Sequence, residues 1–97
     1  MLIRVLTMRV PAERRDDWLR FTRDVGFPSM RQQPGCHGVW RLHKHDADGE
    51  YQVVTLWESQ ADLEQFRASD AMRVLTAAAA GLTVPPHAEL LFDVIED

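Results

Sequence analysis

Three short stretches of this chain carry apolar side chains at successive positions, not only at every second one. In residues 2–10, Ile3, Val5 and Thr7 fall on one side of an extended strand, and Leu2, Leu6 and Met8 fall on the other. In residues 50–57, Tyr51, Val53 and Trp57 oppose Val54 and Leu56; toward the C-terminal end, Leu90, Phe92 and Val94 oppose Leu91 and Ile95. A sheet with helices on one side and water on the other alternates apolar and polar residues. These strands ask for cover on both sides, and the helices of a 97-residue chain suffice for one. The second face is therefore expected to be closed by another copy of the same chain. Most soluble oligomers are symmetric homodimers, and a bare face would exceed the apolar patch that monomers normally expose.

The order of elements follows from periodicity and punctuation. Residues 2–10 read as a strand ended by Pro11, which suits the first turn of a helix. Residues 12–25 read as a helix with Trp18, Phe21 and Val25 on its apolar side. Gly26-Phe27-Pro28 is expected to break or kink it, with a short helical piece from Ser29 to Gln33 ended by Pro34-Gly35. Strands follow at 37–45 and 50–57, joined by a hairpin turn, Asp46-Ala47-Asp48-Gly49, in which Gly49 is free to take positive φ. Ser59 caps a helix bearing Leu63 and Phe66, with Asp62 in a capping-box-like position. Ser69 or Asp70 caps another, bearing Met72, Leu75 and Ala79 and stopped by Gly81. Pro85-Pro86 reads as an extended connector and 88–96 as the last strand. The sum is β-α-β-β-α-β: a single α+β domain over 1–97, the ferredoxin-like split βαβ, with a four-stranded antiparallel sheet and helices on one face.

Composition excludes several classes. Fifteen acidic residues outweigh eleven basic ones, for a net charge of -4, and no basic stripe appears, so nucleic acid is not an expected partner. No apolar run approaches the ~20 residues that cross a bilayer, and Arg4 and Arg9 interrupt the start where a secretory signal would need an apolar stretch. A single cysteine, Cys36, rules out an internal disulfide framework and a four-cysteine zinc site. A cytoplasmic, non-membrane protein is the expectation. No Gly-rich phosphate loop or Rossmann pattern is present, so no nucleotide or flavin is expected.

Three segments carry a resemblance: Pro34-Gly35-Cys36-His37-Gly38 at the entry to the second strand, Val54-Thr55-Leu56-Trp57-Glu58-Ser59 at the close of the third, and Phe66-Arg67-Ala68-Ser69-Asp70-Ala71 on the later helices. With the βαββαβ order, they resemble the antibiotic biosynthesis monooxygenase domain of the dimeric α+β barrel superfamily. That resemblance implies a homodimer whose sheets face each other, with a small apolar cavity between the sheet and helices of each subunit. Several relatives oxygenate quinols or polyketide anthrones there with molecular oxygen and no metal or flavin. Others degrade haem, isomerise or cyclise small aromatics, or have no known activity. Haem-degrading relatives use an early-strand Asn, a helix Trp and a later His. This chain has no Asn, and the other two places fall near Phe66 and Thr76, so haem degradation is not expected.

Oxygenation without a cofactor requires a substrate deprotonated to a phenolate or carbanion, a base that titrates near working pH, and a dry pocket. His43 is the candidate base, and Arg41, two residues away on the same strand face, can stabilise a phenolate or enolate. Set against this is a row that simply runs out to a wet hairpin tip with His45. A His43–His45 metal pair lacks an evident third ligand, so no metal is expected. Adjacent Cys36 and His37 point to opposite sides of a strand and do not make a nucleophile–base pair. His87 reads as a connector residue. Trp40, Phe66, Met30 and Phe27 are candidate pocket residues, although aromatic and Met stripes more often fill cores. The expected activity is cofactor-independent monooxygenation of a small electron-rich aromatic: a phenol, quinol or polyketide. The alternatives are an oxygen-independent isomerase or cyclase in the same pocket, and a non-catalytic dimeric ligand-binding or stress-associated domain.

Overall fold

The computed structural model describes residues 1–95. Strand β1 (Leu2–Arg9) leads through a 3₁₀ turn (Ala12–Arg14) into helix α1 (Arg15–Phe21), a π turn (Thr22–Gly26) and helix α2 (Phe27–Arg31). Strands β2 (Cys36–His43) and β3 (Glu50–Trp57) form the hairpin, helices α3 (Gln60–Arg67) and α4 (Asp70–Ala79) follow, and β4 (Val84–Asp93) closes the sheet. The strand order is β2-β3-β1-β4, with every neighbouring pair antiparallel. This is the α+β, ferredoxin-like arrangement. No helix among the described residues is long and apolar enough to cross a membrane.

Local chemistry explains most boundaries. The hairpin turns through Asp46 and Gly49, both at positive φ, and the Gly49 carbonyl accepts a 2.8 Å hydrogen bond from the Val10 amide, which ties the turn to the end of β1. Ser59 Oγ accepts from the Asp62 amide and Ser69 Oγ from the Met72 amide, each at 3.2 Å, so both later helices start on a serine cap.

The first helical region bends without breaking. The Phe27 amide bonds back to the Thr22 carbonyl, five residues earlier, which inserts one residue into the turn just before Pro28. The wider turn absorbs the proline, whose ring and missing N–H oppose a regular α-helix at that point. The insertion also moves the apolar face. Thr22, Gly26 and Phe27 are buried behind Trp18, while Val25, expected inside, is 51% exposed.

The last strand begins earlier than its prolines suggest. Arg9 pairs with Val84 and Thr7 with Ala88, so the intervening Pro85, Pro86 and His87 sit in a register shift on the outermost strand. Edge strands and bulges are where a sheet tolerates residues that cannot donate to the ladder. The expected end at residue 96 lies outside the described residues.

The helices cover one face of the sheet. There Tyr51, Val53, Thr55 and Trp57 are buried, as are Leu2, Arg4 and Met8. Two packed clusters form on this side: Met8, Val10, Trp18, Phe27, Val39, Tyr51 and Val53 in one, and Leu2, Trp57, Leu63, Phe66 and Leu75 in the other. Met30 packs against both.

Candidate functional site

A cavity of about 100 Å³ lies where the two clusters meet, between the sheet and the helices. Its floor is Arg4, Leu6 and Met8 of β1 with Val53 of β3. The first helical region contributes Trp18, Phe21, Phe27 and Met30, and the π turn brings Thr22 and Gly26 to the same wall. Helix α4 supplies Met72, Leu75, Thr76 and Ala79. Apart from the two threonines, the wall is apolar, and Arg4 is its one ionisable side chain among the described residues.

Arg4 is the feature that the sequence reading passed over. It sits in the same alternating row as Leu2, Leu6 and Met8, at a core position, with its side chain 8% exposed. Its Nε donates a 3.1 Å hydrogen bond to Glu89 of β4, and the other oxygen of that carboxylate pairs with Arg67 at the end of α3. Burial, and then the charge of Arg67, push the Arg4 pKa down from the ordinary arginine value. An arginine starts so high that it keeps its charge near neutral pH. A signal was available: a charged residue inside an otherwise apolar i, i+2 row must find a partner when that row is buried.

Of the expected site residues, the structure brings Met30 and Phe27 to this cavity. Phe66 is buried beside it, with its ring 5.2 Å from that of Trp57, as core and not as cavity wall. Trp40 stands opposite Val54 on the other face of the sheet and is 48% exposed, its indole lying over Gly38. A Cβ at Gly38 would come within 2.4 Å of that ring, so the glycine is what lets the indole lie flat on the strand.

His43 and Arg41 do share the helix-side face with Val39, as their spacing predicts, but neither lines the cavity. Strand β2 is an edge strand, and its far end runs past the helical layer. His43 is exposed there, with its ring 4.9 Å from that of Tyr51, which in turn lies 4.8 Å from Trp18. It opens onto a separate cleft of about 550 Å³ with Arg9, Arg15 and Asp48. The Trp18–Tyr51 pair stands between cleft and cavity. Arg41 reaches back to the first helical region, where its Nη1 donates to the Leu19 carbonyl (2.8 Å) and to Thr22 Oγ (2.7 Å). It therefore supports the π turn from behind. His45 is solvent-exposed beside Asp46, and His37 Nε2 lies 2.5 Å from Glu58 Oε2 on the surface. His87 Nε2 lies 3.0 Å from Thr83 Oγ1. Among the described residues, no three His, Cys, Asp or Glu side chains gather at metal-binding distance.

The other face of the sheet is uncovered. Ile3 and Val5 of β1, Val54 and Leu56 of β3, Trp40 and Leu42 of β2, and Leu90 and Phe92 of β4 share it by register. Phe92 is 50% exposed.

The family model for antibiotic biosynthesis monooxygenase matches residues 1–78. Among solved structures, a Caulobacter crescentus protein superposes with a TM-score of 0.86 at 19% identity, covering 98% of this chain and 90% of that one. A variant of SnoaB, a cofactor-independent oxygenase from Streptomyces nogalater, superposes with a TM-score of 0.81 at 18% identity, covering 99% and 94%. Rv0793 from Mycobacterium tuberculosis gives 0.80 at 17% identity, covering 99% and 96%. At these identities the likeness to the solved structures is one of fold. Among curated proteins none matches.

Proposed function

The chain belongs to the antibiotic biosynthesis monooxygenase family, and from that premise we propose that it is a cofactor-independent monooxygenase acting on a small, electron-rich phenol or quinol. The observation that carries this reading is the apolar cavity between sheet and helices with a single buried cation in its wall. Such a space surrounds most of an oxygen-reactive anion with apolar wall and offers it one electrostatic partner. The fold is also that of SnoaB, an oxygenase that works without a cofactor.

Size selects among the substrates. An engineered cavity of about 150 Å³ takes benzene, so the 100 Å³ here, open on one side, takes no more than one ring. A three-ring anthrone would have to displace the walls. With a dihydroquinone the reaction balances as one quinol and one O₂ giving a hydroxyquinone and one water. The ionised ring passes an electron to O₂, one oxygen atom forms a bond to ring carbon, and the other leaves as water with the two hydrogens the ring gives up. Because the wall holds no His, Asp, Glu or Lys, the proton leaves to solvent and not to a cavity base.

The uncovered sheet face supports a homodimer built through it. Eight apolar side chains that neither helices nor loops cover are the kind of surface that a second copy closes.

The test is oxygen uptake over a panel of dihydroquinones, phenols and anthrones, with chelator present and boiled protein to correct for autoxidation. Uptake above the control with one-ring quinols, faster than with anthrones, is expected. Binding without uptake across the panel removes the oxygenase reading in favour of a non-catalytic ligand-binding domain, the alternative favoured by the absence of an acid or base in the wall. Turnover of a panel member without oxygen would assign an isomerase or cyclase.

A further inference from the structure

We infer that Arg4 is the ligand-binding cation of the cavity and that the site takes its ligand as the anion, a phenolate or enolate, in preference to the neutral phenol. This rests on the reading of the cavity as an aromatic-binding site, and it adds the ionisation state of the ligand and the residue that selects it.

The geometry carries the inference. The Arg4 side chain is more than nine-tenths buried and lines a cavity whose other walls carry no charge. Among the described residues its guanidinium makes one hydrogen bond, from Nε to Glu89, which leaves the terminal nitrogens without a partner. Glu89 is shared, because Arg67 pairs with its other oxygen. Arg67 also pairs with Glu64 on its own helix, at 3.5 Å, so the cluster of four groups is balanced overall, and within it Arg4 holds only a share of one carboxylate beside an apolar space. Beyond these, Asp93 shares the Arg4 face of β4 opposite Leu2, and the cavity wall itself adds no further charge among the described residues. Its sheet neighbours are Thr55 and Leu91, and the linings from α1, the π turn, α2 and α4 are uncharged. A buried cation with unused donors and a half share of a carboxylate is matched best by a singly charged oxygen anion on an otherwise apolar body. Neutral ligands of the same shape would leave those donors unpaired.

The experiment is an absorbance titration of 4-nitrophenol, whose neutral and ionised forms absorb at different wavelengths, with and without protein. 4-Nitroanisole serves as a probe of similar shape that cannot ionise. Bound 4-nitrophenol is expected to ionise about one pH unit or more below the free dye, a preference for the phenolate of about tenfold or more. In Arg4→Gln the shift is lost, in Arg4→Lys part of it remains, and in Glu89→Gln it grows, because Arg4 then has no carboxylate partner. 4-Nitroanisole binds at least several-fold more weakly than the phenolate. The wild-type titration decides the ionisation state of the ligand, and if Arg4→Gln fails to fold, Arg4→Lys and Glu89→Gln test the residue. An unshifted or raised pKa, a lowered pKa that survives Arg4→Gln, or no binding of the dye overturns the inference. The outcome is separable from oxygenase activity. A lowered pKa without oxygen uptake keeps the phenolate site and removes the oxygenase reading; uptake with an unshifted pKa does the reverse.

Discussion

The two faces of the sheet are built from the same strands and meet different surroundings. On the helix side, Val39, Tyr51, Val53 and Trp57 are buried among Trp18, Phe27, Leu63 and Phe66. The residues between them in sequence point the other way, where Trp40, Leu42, Leu90 and Phe92 remain about half exposed. Apolar content does not distinguish the faces; connectivity does, since both helical connections return over the same side. One further contrast bears on function. The covered face admits a charge, Arg4, because Glu89 stands beside it on β4, and it keeps a small void there. The open face shows a run of apolar side chains across all four strands. On the proposed reading, a ligand occupies the covered face and a second copy the open one.

Truncation should separate the two faces most sharply. Trp57 is fully buried, and Trp57→Ala is expected to cost about 3–5 kcal/mol, a large share of the stability of a small domain. Trp40→Ala should cost far less in the isolated chain. Urea unfolding of both variants checks this, and equal losses in a monomer would mean that the outer face is not open. The next effect is on assembly. Phe92→Glu places a charge within the proposed contact, on the edge strand β4, and is expected to weaken dimerisation by about a hundredfold, from ~3 kcal/mol of lost burial. Sedimentation should show a folded monomer, whereas wild-type protein that is already monomeric at micromolar concentration removes the dimer altogether. Smaller again, Ser59→Ala and Ser69→Ala should each lose about 1 kcal/mol with the cavity unaltered.

The two thiol-side and histidine-side tests carry the smallest changes. Burial raises the Cys36 pKa, against the lowering effects of the Gly38 backbone and the charge of Arg31. The folded chain then holds that proton more tightly than the unfolded one. Its contribution is complete below the ordinary thiol range and is lost as pH rises through it. Alkylation of native protein should accordingly reach its midpoint at higher pH than alkylation in denaturant. His43→Ala, which alters the end cleft and not the cavity, is expected to leave oxygen uptake unchanged; a large loss would move the chemistry to the cleft.

Much of the fold was legible because its signals are local. Apolar residues at successive positions mark β1, β3 and β4, the two serines cap α3 and α4, and Gly49 closes the hairpin. The π turn was not legible. Gly26-Phe27-Pro28 announces a disturbance, but whether the chain breaks or inserts a residue depends on hydrogen bonding that the sequence does not show. The site was read less well for a related reason. Spacing places His43 and Arg41 on one strand face, yet where the helical layer ends is a property of tertiary packing. Arg4 interrupts an apolar row and so looked like an obstacle to a signal peptide; its partner Glu89 lies 85 residues away and becomes visible only once β4 is paired with β1.

The most direct test of the account uses the four methionines. Met8, Met30 and Met72 line the cavity, and Met1 does not. Methyl NMR spectra of the wild-type protein should be recorded during titration with 4-nitrophenol. The account predicts that the Met8, Met30 and Met72 methyl signals move together with one binding constant while Met1 stays in place. Binding that leaves those three unmoved, or that shifts the His43 ring signals in their stead, would contradict it.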